Sequence, residues 1–427
     1  MDTKNIVATL YLKNGKSVKS KRDLTETEYD IYQLCRFYND SGVDKIIIFD
    51  LSTNDDEHEL NINMIRNINR NLEIKTCAGG NINRIEDVKK FLYAGCDQVM
   101  FNAAKPTSIG LAEEASQRFG KERILVSIHN VDFVFKKKKV IEDLFHELYI
   151  LNPNILDAIE NLTTVPYVVM MEEFDYPQML SYLSRNYIRG IAGRFINDPK
   201  MDIMQLKSRL SKDGIVMDNF APALKWSDLK PDADGLVPVI VQDYRTNEVL
   251  MMAYMNEEAF QTTLNIGKMT YYSKNWNEVM MNGIERDAIQ YVKSLTADKT
   301  CETLLAKVAQ IDKDGKSDSF GSFVNTIVKK AYNDKNPQRI LETVYDIVKD
   351  RKEHPKEGSY TNFLFSIGLD KMLMKLGEEC TGIVVAVKSD KTDMIRYELS
   401  DFLYYMMVLM VEKGITWEDV TNELSQR

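Results

Sequence analysis

Short apolar runs alternate with amphipathic helical stretches through the first half of this chain, and no other feature limits its fold as tightly. The pattern predicts strands at 6–12, 45–51, 73–77, 98–101, 124–128, 147–151, 166–171 and 188–192, with helical periodicity between them, as at 84–94 and 177–185. Eight strand-then-helix units in such a short span predict a closed (β/α)8 barrel rather than a doubly wound sheet.

The whole chain has 427 residues, too many for one ordinary domain. A β-rich segment follows the barrel. In it, two strand-like runs flank Thr246-Asn247, and Asn256 precedes Glu257 and Glu258 as the N-cap of a helix. Polar stretches at 312–322 and 333–338 then lead into a helical pattern that begins at Ile340. The expected division is 1–212, 213–325 and 336–427. This makes a multidomain α/β protein, with an N-terminal barrel, a small central α+β domain and a C-terminal all-α domain.

Composition excludes several classes. An apolar fraction of 44% and a charged fraction of 28% are those of a soluble globular protein. No uncharged apolar run approaches the roughly 18 residues of a membrane span. The opening Met1-Asp-Thr-Lys-Asn5 lacks a signal-peptide layout, so no membrane partner and a cytoplasmic location are expected. Cys35, Cys77, Cys96, Cys301 and Cys380 are odd in number and form no CxxC pair, which predicts reduced thiols and no cysteine-built zinc site. A net charge of −9 argues against a nucleic-acid partner, and Lys136 to Lys139 read as a solvated loop.

The chemistry-bearing pattern lies near the C-terminus. Leu369, Leu373, Leu376, Cys380, Ile383, Val384 and Val387 keep a helical period, and Ile395, Leu399, Phe402, Met406 and Leu409 mark a second helix. Glu378, Glu379 and position 382 share a strip of the first helix, and Glu398 and Asp401 are i,i+3 neighbours on the second. Two facing acidic strips suit Mg²⁺ and a polyphosphate substrate. Lys371 and Lys375, one turn apart, either neutralise phosphate or line a solvated face.

This pattern resembles the EExxE…ExxD signature of all-α nucleotide pyrophosphohydrolases, whose third Glu would stand at Gly382. With Arg351-Lys352, Gly358-Ser-Tyr-Thr361, Leu364-Phe365 and Gly368-Leu-Asp-Lys371, the last 90 or so residues resemble phosphoribosyl-ATP pyrophosphatase. That resemblance implies Mg²⁺ held by Glu378, Glu379, Glu398 and Asp401, and substrate contacts from Arg351, Ser359, Tyr360, Thr361, Lys371 and Lys375. Tyr405 stands where that family usually has His.

Residues 235–256 and Thr270-Tyr-Tyr-Ser273 resemble phosphoribosyl-AMP cyclohydrolase, a family of intertwined homodimers. Its zinc-thiolate positions hold Lys299, Gly315 and Ser322 here, and Lys316 replaces its histidine. Its SRS, LW and TSG elements read Ser273-Lys-Asn, Val279-Met280 and Glu285-Arg286-Asp287. Zinc is therefore not expected, nor is cyclohydrolase activity. Asp298, Cys301 and Glu302 read as solvated surface residues, with a rearranged site as the alternative.

Ile46-Ile-Ile-Phe-Asp50, Cys77-Ala-Gly-Gly-Asn-Ile82 and residues 91–102 resemble the phosphate-binding barrels of histidine biosynthesis. Their two catalytic aspartates correspond to Tyr11 and His129, which implies a barrel without acid/base chemistry. Two functional readings result. One is Mg²⁺-dependent hydrolysis of phosphoribosyl-ATP to phosphoribosyl-AMP and pyrophosphate by an oligomer paired through its two C-terminal domains. The other is a non-catalytic paralogue that binds phosphoribosyl ligands or pairs with an active copy.

Overall fold

The computed structural model describes residues 3–70, 72–198, 201–281, 288–312, 321–323, 325, 327–328, 340–389 and 392–425. Gly283, Gly315, Lys316, Ser317, Glu285-Arg286-Asp287 and the polar stretch at 333–338 lie outside the described residues. The chain forms two compact units, Met1–Thr326 and Ile327–Arg427.

The first unit opens with the closed barrel. Its parallel strands are Asn5–Lys13, Lys45–Asp50, Lys75–Gly79, Gln98–Asn102, Ile124–Ile128, Glu147–Ile150, Tyr167–Met171 and Ile188–Gly193, and the last pairs with the first. A short strand, Lys16–Val18, adds an antiparallel edge. Val7, Ile47, Cys77, Met100, Leu125, Tyr149, Val168 and Ala192, one from each strand, fill the interior. The alternate residues face the surrounding helices, and so the strands read as nearly continuous apolar runs. Cys77 and Cys96 are wholly buried free thiols, pushed up to about 12 by desolvation. Chain beyond Lys212 still belongs to this core: Ile215 and Met217 pack in it, and Met217 bridges to Lys4.

A six-stranded sheet follows, in the order Glu278–Met281, Thr270–Ser273, Val249–Met255, Val237–Asp243, Leu304–Asp312, Ala288–Ala297. All its pairings are antiparallel except Val237–Asp243 with Leu304–Asp312. Asn247 takes a positive φ of 57° in the Thr-Asn turn. Asn256 caps the helix Glu257–Ile266 by accepting from the Ala259 N–H. The sheet docks on the barrel. Lys293 pairs with Asp40 at 2.7 Å and Glu73 at 3.0 Å, Lys268 pairs with Asp202 at 2.8 Å, and Phe37 packs against Tyr291, Ala309 and Ile311.

The second unit is helical: Ile340–Glu353, Tyr360–Ser366, Leu369–Lys388, Thr392–Lys413 and Trp417–Ser425. Its core is Val348, Leu364, Met372, Tyr405, Val408 and Val411. This corrects the expected apolar stripes. Leu373, Val384 and Val387 are exposed on the first long helix, and Leu399 is exposed on the second, which turns Tyr405, Val408 and Val411 inward instead. The second long helix is apolar on nearly every side from Phe402 onward, so period alone cannot choose its buried face. No helix among the described residues is long and apolar enough to cross a membrane.

Candidate functional site

The two long helices carry the acidic strips and pack side by side. The first starts after Gly368, whose φ of 83° ends the short Tyr360–Ser366 helix and redirects the chain. On it, Lys375 pairs with Glu378 at 2.6 Å across one turn. Glu379 faces inward. Burial raises its carboxyl above the ordinary value, and the negative charges of Asp401 and Glu398 raise it further, while Lys375 opposes them. The strips of the two helices therefore confront one another, as their spacing requires.

Position 382 lies at the centre of that confrontation. A Cβ added to Gly382 would run into the Glu398 carboxylate. The opposite helix has laid its own carboxylate over the bare backbone where the family pattern has a third Glu.

Tyrosines close one end of the site. Tyr360 and Tyr405 share a hydroxyl hydrogen bond of 2.6 Å, and Thr361 and Tyr404 share one of 2.8 Å. Burial raises the Tyr405 phenol, then its bond to Tyr360, then the charges of Glu379 and Asp401. The Ser359 hydroxyl accepts from the Asn362 N–H as an N-cap. These hydroxyls thus hold the short helix in place. Arg351 pairs with Asp350 at 2.5 Å, and Lys371 is exposed one turn before Lys375.

Among the described residues, no three His, Cys, Asp or Glu side chains converge as a cation shell. The donors are nonetheless all hard oxygens on flexible stems, the set Mg²⁺ takes. The negative charge that Asp401 and Glu398 bring to Glu379 is what a divalent cation would offset.

The positions corresponding to zinc ligands differ in kind. Lys299 is exposed in a hairpin turn, and Ser322 donates through its N–H and Oγ to the Leu250 carbonyl. The Asp298 carboxylate is filled by the Thr300, Glu302 and Thr303 N–H groups and the Thr300 hydroxyl, which hold it well below the usual range. Asp298 thus shapes the turn, and these residues do not fit a zinc ion.

At the C-terminal mouth of the barrel is a cavity of about 530 Å³, lined by Tyr11, Asp50, Ser52, Asn81, Asn102 and Lys105 among others. Tyr11 stacks on Phe49 at 5.5 Å, and burial raises its phenol. His129 is exposed just past its strand. Asp50 is a polar centre that the sequence does not announce. It accepts from Asn61 at 2.6 Å and from the Ser52 N–H and hydroxyl, and it meets His58 Nδ1 at 2.5 Å. No periodicity links these positions; only an Asp at a strand end hints at them. Gly80, at φ 90°, passes so close to the Asp50 carbonyl that no side chain fits there.

In chain order, a closed barrel, a mixed sheet and a pair of acidic helices make up a multidomain protein of the histidine-biosynthesis type. Family models agree: Histidine biosynthesis protein matches residues 5–147, Phosphoribosyl-AMP cyclohydrolase 251–317, and Phosphoribosyl-ATP pyrophosphohydrolase 341–427. The Histidine biosynthesis bifunctional protein HisIE of Thermoanaerobacter pseudethanolicus is 40% identical over 210 residues, which are 46% of this chain and 97% of that protein. The protein of the same name from Caldanaerobacter subterraneus subsp. tengcongensis is 41% identical over 202 residues, 47% of this chain and 96% of its own. The one from Nostoc sp. is 34% identical over 217 residues, 49% and 98% of the two chains. The chain belongs to the bifunctional HisIE family of histidine biosynthesis, with a barrel as an additional part.

Proposed function

We propose that the C-terminal helical domain hydrolyses phosphoribosyl-ATP to phosphoribosyl-AMP and pyrophosphate, in the cytoplasm, within a chain divided at 1–212, 213–325 and 336–427. The observation that carries this reading is Glu379, held beside Asp401 and Glu398 of the facing helix. Glu378, Glu379, Glu398 and Asp401 would hold Mg²⁺, which when bound offsets the charge of the departing pyrophosphate. Lys375 brings positive charge to the same edge, and Lys371 lies one turn away. Arg351 and the helix start at Ser359, Tyr360 and Thr361 border the substrate side. Pyrophosphate release from phosphoribosyl-ATP that needs Mg²⁺ tests the reading.

The helical domain also exposes Leu373, Met374, Val384, Val385, Val387 and Tyr397. Exposed apolar side chains in that number support pairing with a second copy of the chain.

The central domain is proposed to be inactive as a cyclohydrolase. Purified protein should hold no stoichiometric zinc, and phosphoribosyl-AMP should persist in excess protein with zinc and Mg²⁺ supplied. About one tightly held zinc per chain, or ring opening followed by absorbance, would overturn that.

The barrel is proposed to be inert in aminoaldose isomerisation, because Tyr11 cannot act as a strand-end carboxylate. Its mouth keeps backbone N–H groups near Gly79, Gly80 and Asn102 for phosphate. A phosphoribosyl ligand should raise the melting temperature of the full chain through this site, and a Lys105→Met variant, which removes a cation from the cavity wall, should lose much of that protection. Equal shifts in both proteins would remove the barrel site.

A second reading, a non-catalytic paralogue that binds phosphoribosyl ligands or pairs with an active copy, is favoured by one observation. Altered site positions occur in every part, at Tyr11, Lys299 and Gly382, while the cores remain apolar and packed.

A further inference from the structure

Beside the acidic site lies an aromatic surface that the chemistry above leaves unused. Tyr360 and Phe363 stand on successive turns of the Tyr360–Ser366 helix, with ring centroids 6.1 Å apart and planes inclined by 28°. Phe363 is 54% exposed and Tyr360 50% exposed. Together with Lys356, Ser359, Asn362 and Ser366 they wall a shallow depression of about 560 Å³.

The polar groups in that depression are largely spent within the fold. Asn362 accepts from the Lys356 N–H and donates to the Arg351 carbonyl, Ser359 caps Asn362, and the Ser366 hydroxyl donates to Phe363. Besides the Lys356 and Glu357 side chains at its rim, what remains open for recognition is the pair of ring faces.

One end of the shelf is anchored to the carboxylates. The Tyr360 hydroxyl meets Tyr405, whose phenol feels the charges of Glu379 and Asp401, and Lys375 feels Tyr360 as well. A flat group lying on Phe363 and Tyr360 is thus linked to the acidic strips through the Tyr360–Tyr405 hydroxyl pair. A nucleotide whose base lies on the rings can direct its phosphates toward that end.

We propose that Phe363, together with Tyr360, is the stacking shelf for the purine base of the nucleotide cleaved at Glu378, Glu379, Glu398 and Asp401; the proposal rests on the hydrolytic reading above. Stacking on an aromatic face accepts any base and needs no hydrogen-bond partner, which suits a depression whose hydroxyls and amide are already engaged.

The test uses the full chain. Phe363→Ala should raise KM for phosphoribosyl-ATP about tenfold, from the loss of one base–aromatic stack, with kcat within about twofold. Phe363→Trp should restore KM. Inhibition by inorganic tripolyphosphate, which lacks a base, should be the same in all three proteins. An unchanged KM in Phe363→Ala overturns the shelf.

Equilibrium dialysis with ATP separates the shelf from the catalytic reading. No turnover in the parent protein, with ATP binding that still weakens about tenfold in Phe363→Ala, rejects hydrolysis and keeps the shelf. Equal ATP binding in both proteins rejects the shelf whatever the turnover. Sedimentation completes the set: if Phe363→Ala dissociates a dimer and leaves ATP affinity unchanged, the rings belong to a subunit contact and the proposal fails.

Discussion

Glu379→Gln is expected to lower Mg²⁺-dependent pyrophosphate release from phosphoribosyl-ATP by a factor on the order of 100 or more, because groups that hold one cation act as a unit. The amide keeps the size of the carboxyl and removes only its charge. Stability should move the other way. The Glu379 carboxyl is raised by burial and by Asp401 and Glu398, so ionising it opposes folding, and a neutral Gln relieves that strain without metal. Excess Mg²⁺ should therefore stabilise the parent chain more than the variant, since a ligand that binds only the folded state raises its melting temperature. Steady-state pyrophosphate assays and paired melts with and without Mg²⁺ measure both effects. Turnover equal to the parent's would remove Glu379 from the site.

That the acidic residues lie on facing helix strips was legible in the sequence because spacing alone places them. Residues three or four apart share a helix face, and the barrel was legible for a similar reason: parallel strands buried on both sides read as bare apolar runs. The link between Tyr360 and Tyr405 was not legible. It joins two helices through side-chain ends, and no local period reports such a contact. Phe363 was missed on the same grounds, since an exposed aromatic residue in a short helix resembles ordinary amphipathic pattern. The buried faces of the long helices were misread where Val384, Val387 and Leu399 continue the period but find nothing to cover them within the described chain. The docking of the central sheet on the barrel through Lys293 and Asp40 depends on partners far apart in sequence, and surface lysines and aspartates carry no mark of it. The Asp298 turn shows the converse. Its acidic residue invites a metal reading until its oxygens are seen filled by backbone N–H groups.

Substitutions at Gly382 should separate helix stability from cation binding. A glycine within a helix is roughly 0.5–1 kcal/mol less favourable than alanine, so Gly382→Ala should strengthen the first acidic helix. The added Cβ must also displace the Glu398 carboxylate that now covers position 382. Because that carboxylate ends a flexible side chain, it can swing away at small energetic cost, but it leaves the place it occupies opposite Glu379. Gly382→Ala is therefore expected to melt higher and to turn over no faster than the parent, and slower if Glu398 stands in for the missing carboxylate. Gly382→Glu should differ from both. It brings a fifth carboxylate to the facing strips, and pyrophosphate release should rise on the order of tenfold with tighter Mg²⁺ dependence. Glu398→Ala completes the series, since loss of the carboxylate that fills the gap should abolish most of the parent's turnover. If Gly382→Glu gains nothing and Glu398→Ala loses nothing, the facing acidic strips do not hold a working cation, and the paralogue that binds without hydrolysis is the better account of this chain.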